Sequence, residues 1–264
     1  MPVPTRQRAF RKREVVFAVA MGALAAGGAA IILDESEGGG APFIVANQAD
    51  NLTYDFGPFE EISTTGPQNV VVTIGETQSI RSEGPPEALG ILEAVVVDGR
   101  LIIRPRERFR GRFNRSQLDS AIFFVTVPKL EVVSLEGSGN VSVDRIEGDS
   151  FAGSVGGSGE LAIAAMQVDE ADFSIAGSGD LVVAGTARDS EISIVGSGDV
   201  QANGLRSETG SVSIVGSGDA ALTVDRDAQV SIMGSGDVQI AGSARCSVTR
   251  IGSGDVRCSG DGGD

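Results

Sequence analysis

The chain has 264 residues, enough for one large domain or two small ones. Hydrophobic residues make up 41% and aromatic residues 5%, with no Trp, one Tyr (Tyr54) and 37 Gly. This is too apolar for a disordered chain and points to many short strands joined by tight turns. There is no His, and Lys12 and Lys129 are the only lysines, which removes the commonest general base and nearly every candidate catalytic amine.

The formal charge is −15 and unevenly spread. The first 33 residues hold five basic and one acidic residue, so totals of 21 and 36 leave 16 basic and 35 acidic residues beyond them, a net of −19. Such a body repels nucleic acid and anionic lipid, so no nucleic-acid partner is expected. It suits an extracytoplasmic space or the gathering of cations.

In chain order, Arg6, Arg8, Arg11, Lys12 and Arg13 precede an uncharged apolar run from Val15 to Leu33. A basic segment followed by an apolar one predicts export, with residues 1–33 as a signal peptide or an N-terminal membrane anchor forming one hydrophobic helix. Small residues such as Ala23 and Ala25 offer cleavage sites. The run nevertheless continues through Ile31 and Ile32 to about the length that spans a bilayer, which favours an anchor contacting the membrane through residues 15–33. The expected location is the periplasm or cell envelope. Residues 34–52 read as a linker, opening with the polar stretch Asp34 to Pro42.

Residues 53–130 have strand character without a repeat. Val70 to Ile74, Ala94 to Val97 and Leu101 to Ile103 are apolar runs, and Asp98-Gly99 between the last two is a hairpin signal. Ala121 to Val127 is another strand, stopped by Pro128. These predict a mixed or antiparallel β cap on the first coil of the C-terminal half. Within this region Arg104, Arg106, Arg108, Arg110, Arg112 and Arg115 interleave with Phe109 and Phe113. They are a candidate loop for an anionic ligand or acidic partner, although a solvated charge run is the commoner outcome.

Residues 131–264 carry the main signal. Gly-Ser-Gly followed by an acid or Asn occurs seven times, starting at Gly137, Gly157, Gly177, Gly196, Gly216, Gly234 and Gly252, at intervals of 20, 20, 19, 20, 18 and 18. Self-similarity at this period marks a solenoid. Pairs such as Ile192/Ile194 before each motif and Leu181/Val183 after it alternate with period two, so each motif is a turn between two half-buried strands. A coil of 18–20 residues leaves no room for a helix and two strands. The prediction is all-β: a parallel β-solenoid of about seven coils, with polar return stretches such as Gly185 to Asp189 and Gly204 to Glu208. The general preference of crossovers makes it right-handed.

Stacking like over like predicts ladders. Three residues before each motif stand Ser134, Ser154, Ser174, Ser193, Ser213, Ser231 and Thr249, which should face outward as a candidate binding face. The acid position reads Asn140, Glu160, Asp180, Asp199, Asp219, Asp237, Asp255. Cys246 and Cys258 are the only cysteines. In an oxidising compartment they form a candidate disulfide pinning the last coil; the alternative is two buried thiols.

The layout FEEISTTGPQNVVVTIG from Phe59, then VVVDGRLIIRP, FFVTVP and the Gly-Ser-Gly-Asp array, resembles the putative auto-transporter adhesin, head GIN domain family. The resemblance covers most of the part after the N-terminal segment. It implies a right-handed β-helix-like fold outside the cytoplasm and an adhesive or structural role, and it supplies no catalytic residues.

The leading expectation is therefore a non-catalytic envelope scaffold or adhesin that holds a surface, polymer or protein through its coil faces, without a cofactor. A cation- or carbohydrate-binding solenoid is the alternative. Asp180, Asp199, Asp219, Asp237 and Asp255 would supply the oxygen ligands Ca²⁺ favours. Asp after Gly more often accepts a turn N–H, however, and Asn140 does so without charge. A polysaccharide-active β-helix enzyme ranks third, since no level of the repeat gathers unusual residues and no Trp offers a sugar platform. An ice-binding face ranks lower still, because the ladder is mostly Ser.

Overall fold

The computed structural model describes residues 31–32, 43–46, 51–55, 57–109 and 118–260. The expected N-terminal helix lies outside these residues except for Ile31–Ile32, which are paired as a strand. Among the described residues no helix is long and apolar enough to cross a membrane.

The elements run β1 (Ile31–Ile32), β2 (Phe43–Ala46), β3 (Asn51–Asp55), β4 (Glu61–Gly66), β5 (Asn69–Ile74), β6 (Ser79–Glu83), α1 (Pro86–Ile91), β7 (Leu92–Val97), β8 (Arg100–Pro105) and β9 (Ile122–Val127). Then come β10 (Val132–Gly137), β11 (Asn140–Val143), β12 (Ile146–Gly157), β13 (Glu160–Gly177), β14 (Asp180–Gly196), β15 (Val200–Gly216), β16 (Ala220–Gly234), β17 (Val238–Ala241), β18 (Arg245–Gly252) and β19 (Val256–Cys258). All belong to one continuous sheet. From β10 onward every pairing is parallel, each coil lying on the last. This is a β-solenoid of about six turns.

The core arises from side-chain alternation. Leu135, Val155, Ile175, Ile194, Ile214 and Ile232 stack in register on one inner face and are all buried. After the turn, Val141, Leu161, Leu181, Val200, Ala220 and Val238 form a second stack. Each such side chain contributes about 1.5–3 kcal/mol where it is Val or larger, so no coil needs a core of its own. The return stretches are strand rather than loop, and they add Ala187, Leu205 and Val224 to the interior.

The turn explains why Gly brackets it. The Ser217 N–H donates to the Gly196 carbonyl at 2.8 Å, and the same bond recurs at Ser158, Ser178, Ser197, Ser235 and Ser253. At Gly216 the backbone has φ +138°, and a Cβ there would lie 2.0 Å from the Gly196 oxygen. At Gly218, which is not left-handed, a Cβ would lie 2.2 Å from the Gly198 oxygen. The turns approach so closely that only Gly fits at either end.

The front half is more than a cap. β4 pairs in parallel with β10 and β8, and β5 with β11 and β9. β4 with β5 and β8 with β9 therefore supply two further rungs, the later pair lying outside the earlier one. Leu101, Ile103, Phe123 and Val125 extend the core through them. Antiparallel strands then close this end, with β7 on β8, β6 on β9 and β3 on β6. The β7–β8 hairpin turns at Asp98-Gly99, both left-handed at φ 50° and 77°.

At the other end Cys246 and Cys258 are joined by a disulfide, with Cα atoms 6.5 Å apart. Cys246 continues the inner stack of Gly210 and Ala228, and Cys258 that of Leu222 and Ile240. The bridge thus crosses the end of the core and covers it.

Gly218→Ala should cost at least about 3 kcal/mol by thermal or denaturant unfolding, while Gly148→Ala, where a Cβ meets nothing within 4 Å, should stay within about 0.5 kcal/mol. Equal losses would refute the close-approach account. The Cys246–Cys258 bridge closes a short loop, so Cys246→Ser/Cys258→Ser should lower stability by roughly 3 kcal/mol. Hydrogen exchange should then rise first over residues 245–258; a uniform rise along the chain would contradict the end-cover role.

Candidate functional site

The outward residues form ladders because the coils stack in register. Ser134, Ser154, Ser174, Ser193, Ser213, Ser231 and Thr249 are opposite one another in successive pairings and none is buried. Ser154 and Ser134 hydrogen-bond through their hydroxyls at 3.0 Å. The ladder extends one rung further than the repeat, since Ser63 is registered with Ser134.

The acid ladder has a specific partner. The Asp180 Oδ1 accepts the N–H of Asp199, Asp199 that of Asp219, Asp219 that of Asp237 and Asp237 that of Asp255, at 2.7–3.2 Å. Asn69 and Asn140 do the same for Asn140 and Glu160. The acceptor therefore serves the turn one coil on, not its own turn. Glu160 is one methylene longer and breaks the pattern, with the Asp180 N–H turning to the Gly159 carbonyl instead. One oxygen of each Asp from Asp180 to Asp237 is committed to architecture, and among the described residues no group of three or more metal-ligating side chains converges.

Around the coil from the Ser ladder runs an open groove of about 600 Å³, lined by Glu170, Asp172, Asp189, Glu191 and Asp227 with Arg245 at its end. Asp189 is held below the usual carboxylate range, first by the hydroxyl of Thr209 and then by the guanidinium of Arg188. A depressed folded value means that this contact supports the fold above the ordinary carboxylate range and is lost as pH falls through the lowered one.

The candidate arginine loop is largely committed elsewhere or not described. Arg104 pairs with Glu93 at 2.8 Å and Arg106 donates to the Leu92 carbonyl at 3.1 Å, both within their own hairpin. Arg108 falls in the 3-10 turn Glu107–Phe109. Arg110, Arg112 and Arg115 lie outside the described residues.

Residues 58–244, which hold β4 to β17, match the family described as putative auto-transporter adhesin, head GIN domain. The chain belongs to this family. A putative adhesin from Bacteroides fragilis shares the fold with TM-score 0.72 at 20% identity, over 78% of this chain and 94% of its own. A putative lipid binding protein from Parabacteroides distasonis gives 0.62 at 18% identity, over 78% and 95%. A putative adhesin from Parabacteroides merdae gives 0.60 at 20%, over 78% and 94%. No curated protein matches in sequence.

In this head GIN domain, sequence reasoning misses Ser63 and Asn69 as ladder members. Their turn, Gly66-Pro67-Gln68-Asn69, has lost Ser and the second Gly. The surviving signal is Glu61-Ile62-Ser63-Thr64-Thr65-Gly66, which repeats the alternation and the Ser three residues before Gly. Gln68 replaces the second Gly, and its buried amide donates to Thr64 Oγ1 and the Ile103 carbonyl, joining two rungs.

Asp219→Asn keeps the acceptor for the Asp237 N–H and should change stability little. Asp219→Ala removes it and should cost about 1 kcal/mol. Unfolding curves with Ca²⁺ and with excess EDTA should coincide for wild type; a large Ca²⁺-dependent rise in Tm would mean the ladder is a cation site after all.

Proposed function

We propose that the protein is a non-catalytic cell-envelope module that attaches to a surface or polymer through the outward face of its solenoid. The observation that carries this reading is the unbroken hydroxyl ladder from Ser134 to Thr249, registered coil on coil and uncovered along its length. Parallel stacking repeats one side chain about every 4.8 Å, so a partner with a periodic surface meets many identical weak contacts at once. The family description is consistent with adhesion and with a location outside the cytoplasm.

Two further properties support the reading. The inward positions are fixed by the core and the turns by the Gly-Ser-Gly approach, so outward positions alone are free to carry recognition. The chain also has no His, and Asp180, Asp199, Asp219 and Asp237 each give one oxygen to a backbone N–H, which ties them to the turns.

The test is retention of the full-length chain, in detergent, on insoluble polymers: peptidoglycan, cellulose and chitin. Ser174→Lys/Ser193→Lys should reduce retention at least tenfold with Tm unchanged. Gln201→Lys/Gln239→Lys, on another outward face, should not. Retention that ignores both pairs, or no retention on any polymer, would reject the Ser face as the adhesive surface.

A further inference from the structure

Directly before each Gly-Ser-Gly turn stands an outward residue whose character changes along the axis. The first three rungs carry Glu136, Gly156 and Ala176 there, and the next four carry Val195, Val215, Met233 and Ile251. These last four are registered one above another and are 55%, 46%, 55% and 63% exposed. They form an uninterrupted aliphatic stripe on a solvent-facing sheet. Single exposed aliphatics need no explanation, but a contiguous stripe of stacked ones marks an interaction site.

We propose that this stripe joins two copies of the chain, face to face about a two-fold axis between the rungs of Val215 and Met233. Each Val215 then meets the other copy's Met233, and each Val195 the other copy's Ile251, as an isologous contact requires. The inference goes beyond the adhesive reading and does not rest on it.

Two observations select a second copy, and a third sets the strength of the contact. The first is spacing: the stripe repeats at the strand separation of about 4.8 Å, and another copy of the same sheet offers the same repeat in register. The second is charge. The outward positions one, three and five residues before Gly196, Gly216, Gly234 and Gly252 hold only Glu191 as a charged residue, at the edge of the patch. The chain carries −15 overall, so two copies repel almost everywhere else and can meet here without that cost. On the first three rungs Glu136 and Asp172 occupy the same positions, which keeps the contact to the later four. The third is area. Four rungs and five residues of strand project to about 300 Å². That is well short of the roughly 800 Å² per partner of a standard interface, so a weak, reversible dimer is expected and not an obligate one.

Sedimentation of the full-length chain in detergent tests this. The mass should rise from monomer to dimer with a midpoint on the order of 10–100 µM. Val215→Asp/Met233→Asp should stay monomeric to about 500 µM with unchanged Tm, because both positions are half-exposed. Ser174→Asp, on the earlier rungs, should dimerise as wild type does. Oxidative cross-linking reads the geometry: Val195→Cys chains mixed with Ile251→Cys chains should give a linked dimer, at least tenfold more than either population alone.

Wild type that stays monomeric throughout, or a dimer that survives Val215→Asp/Met233→Asp, overturns the proposal. So does equal cross-linking within the unmixed populations. A monomeric wild type that binds phosphatidylcholine vesicles only while the stripe is intact would assign the stripe to lipid instead. Ser193 lies inside this patch, so retention and dimerisation are read together in Ser154→Lys/Ser174→Lys, which spares the four later rungs: lost retention with unchanged dimerisation lets the two readings fail separately.

Discussion

The structure depends on one approach: backbone against backbone where successive Gly-Ser-Gly turns stack. The Ser N–H reaches the Gly carbonyl of the preceding coil at 2.8–2.9 Å from Ser158 onward, with no Cβ between them. This fixes register at one corner of every coil. Because strand side chains alternate, a one-residue slip there would place the Ser and acid ladders in the core and Ile in water. The coil lengths of 18–20 residues are then reconciled elsewhere. Register irregularities occur after the turn strand and on the return side, between Ile163 and Met166, Val182 and Ala184, and Ala202 and Arg206. The turn corner is invariant and the far side absorbs the difference.

In-register stacking puts like charges above one another, which is a cost the fold must meet. Carboxylates about 5 Å apart repel by roughly 1 kcal/mol in water. Each Asp from Asp180 to Asp237 offsets this by accepting a backbone N–H from the next turn, a charge-assisted bond worth about as much. On the return side the coils pair opposite charges instead, Arg206 with Asp225 at 2.6 Å and Arg226 with Glu208 at 2.9 Å. These pairs are exposed, and such bridges contribute between nothing and about 1 kcal/mol each. They favour the correct neighbour more than they hold the molecule together; the buried Val, Leu and Ile stacks do that.

How much of this is legible in the chain depends on whether the information is local. The repeat, the inward pairs and the outward Ser all arise from a period of two inside a period near 20, the first visible within one coil and the second between neighbouring coils. Non-local choices are hidden. Nothing in β8 or β9 shows that these strands lie outside β4 and β5, because strand pairing across such distances leaves no local trace. The turn at Gly66 is obscured by Pro67 and Gln68 and by the 71 residues separating Asn69 from its ladder partner Asn140. The Asp ladder reads as turn chemistry, and its chemistry is indeed that of an N–H acceptor. Its partner sits one coil away, which only the stacking reveals. For the arginines from Arg104 to Arg115 the interleaved pattern suggests a ligand, yet Arg104 and Arg106 bind their own hairpin.

A solenoid of this kind separates what must be constant from what can vary. The inner positions are constrained by neighbours above and below, and the turn corner by contact with backbone. Variation along the axis is therefore confined to outward positions, and there it is not random. The residue before the turn passes from Glu136 through Gly156 and Ala176 to Val195, Val215, Met233 and Ile251, while the Ser two residues earlier hardly changes. A ladder multiplies whatever its position contributes, since each added rung repeats the contact at fixed spacing without further ordering cost. A hydroxyl ladder of eight rungs, counting Ser63, and an aliphatic stripe of four thus run side by side on one outward face. Their unequal lengths make one regular face differ chemically between its two ends.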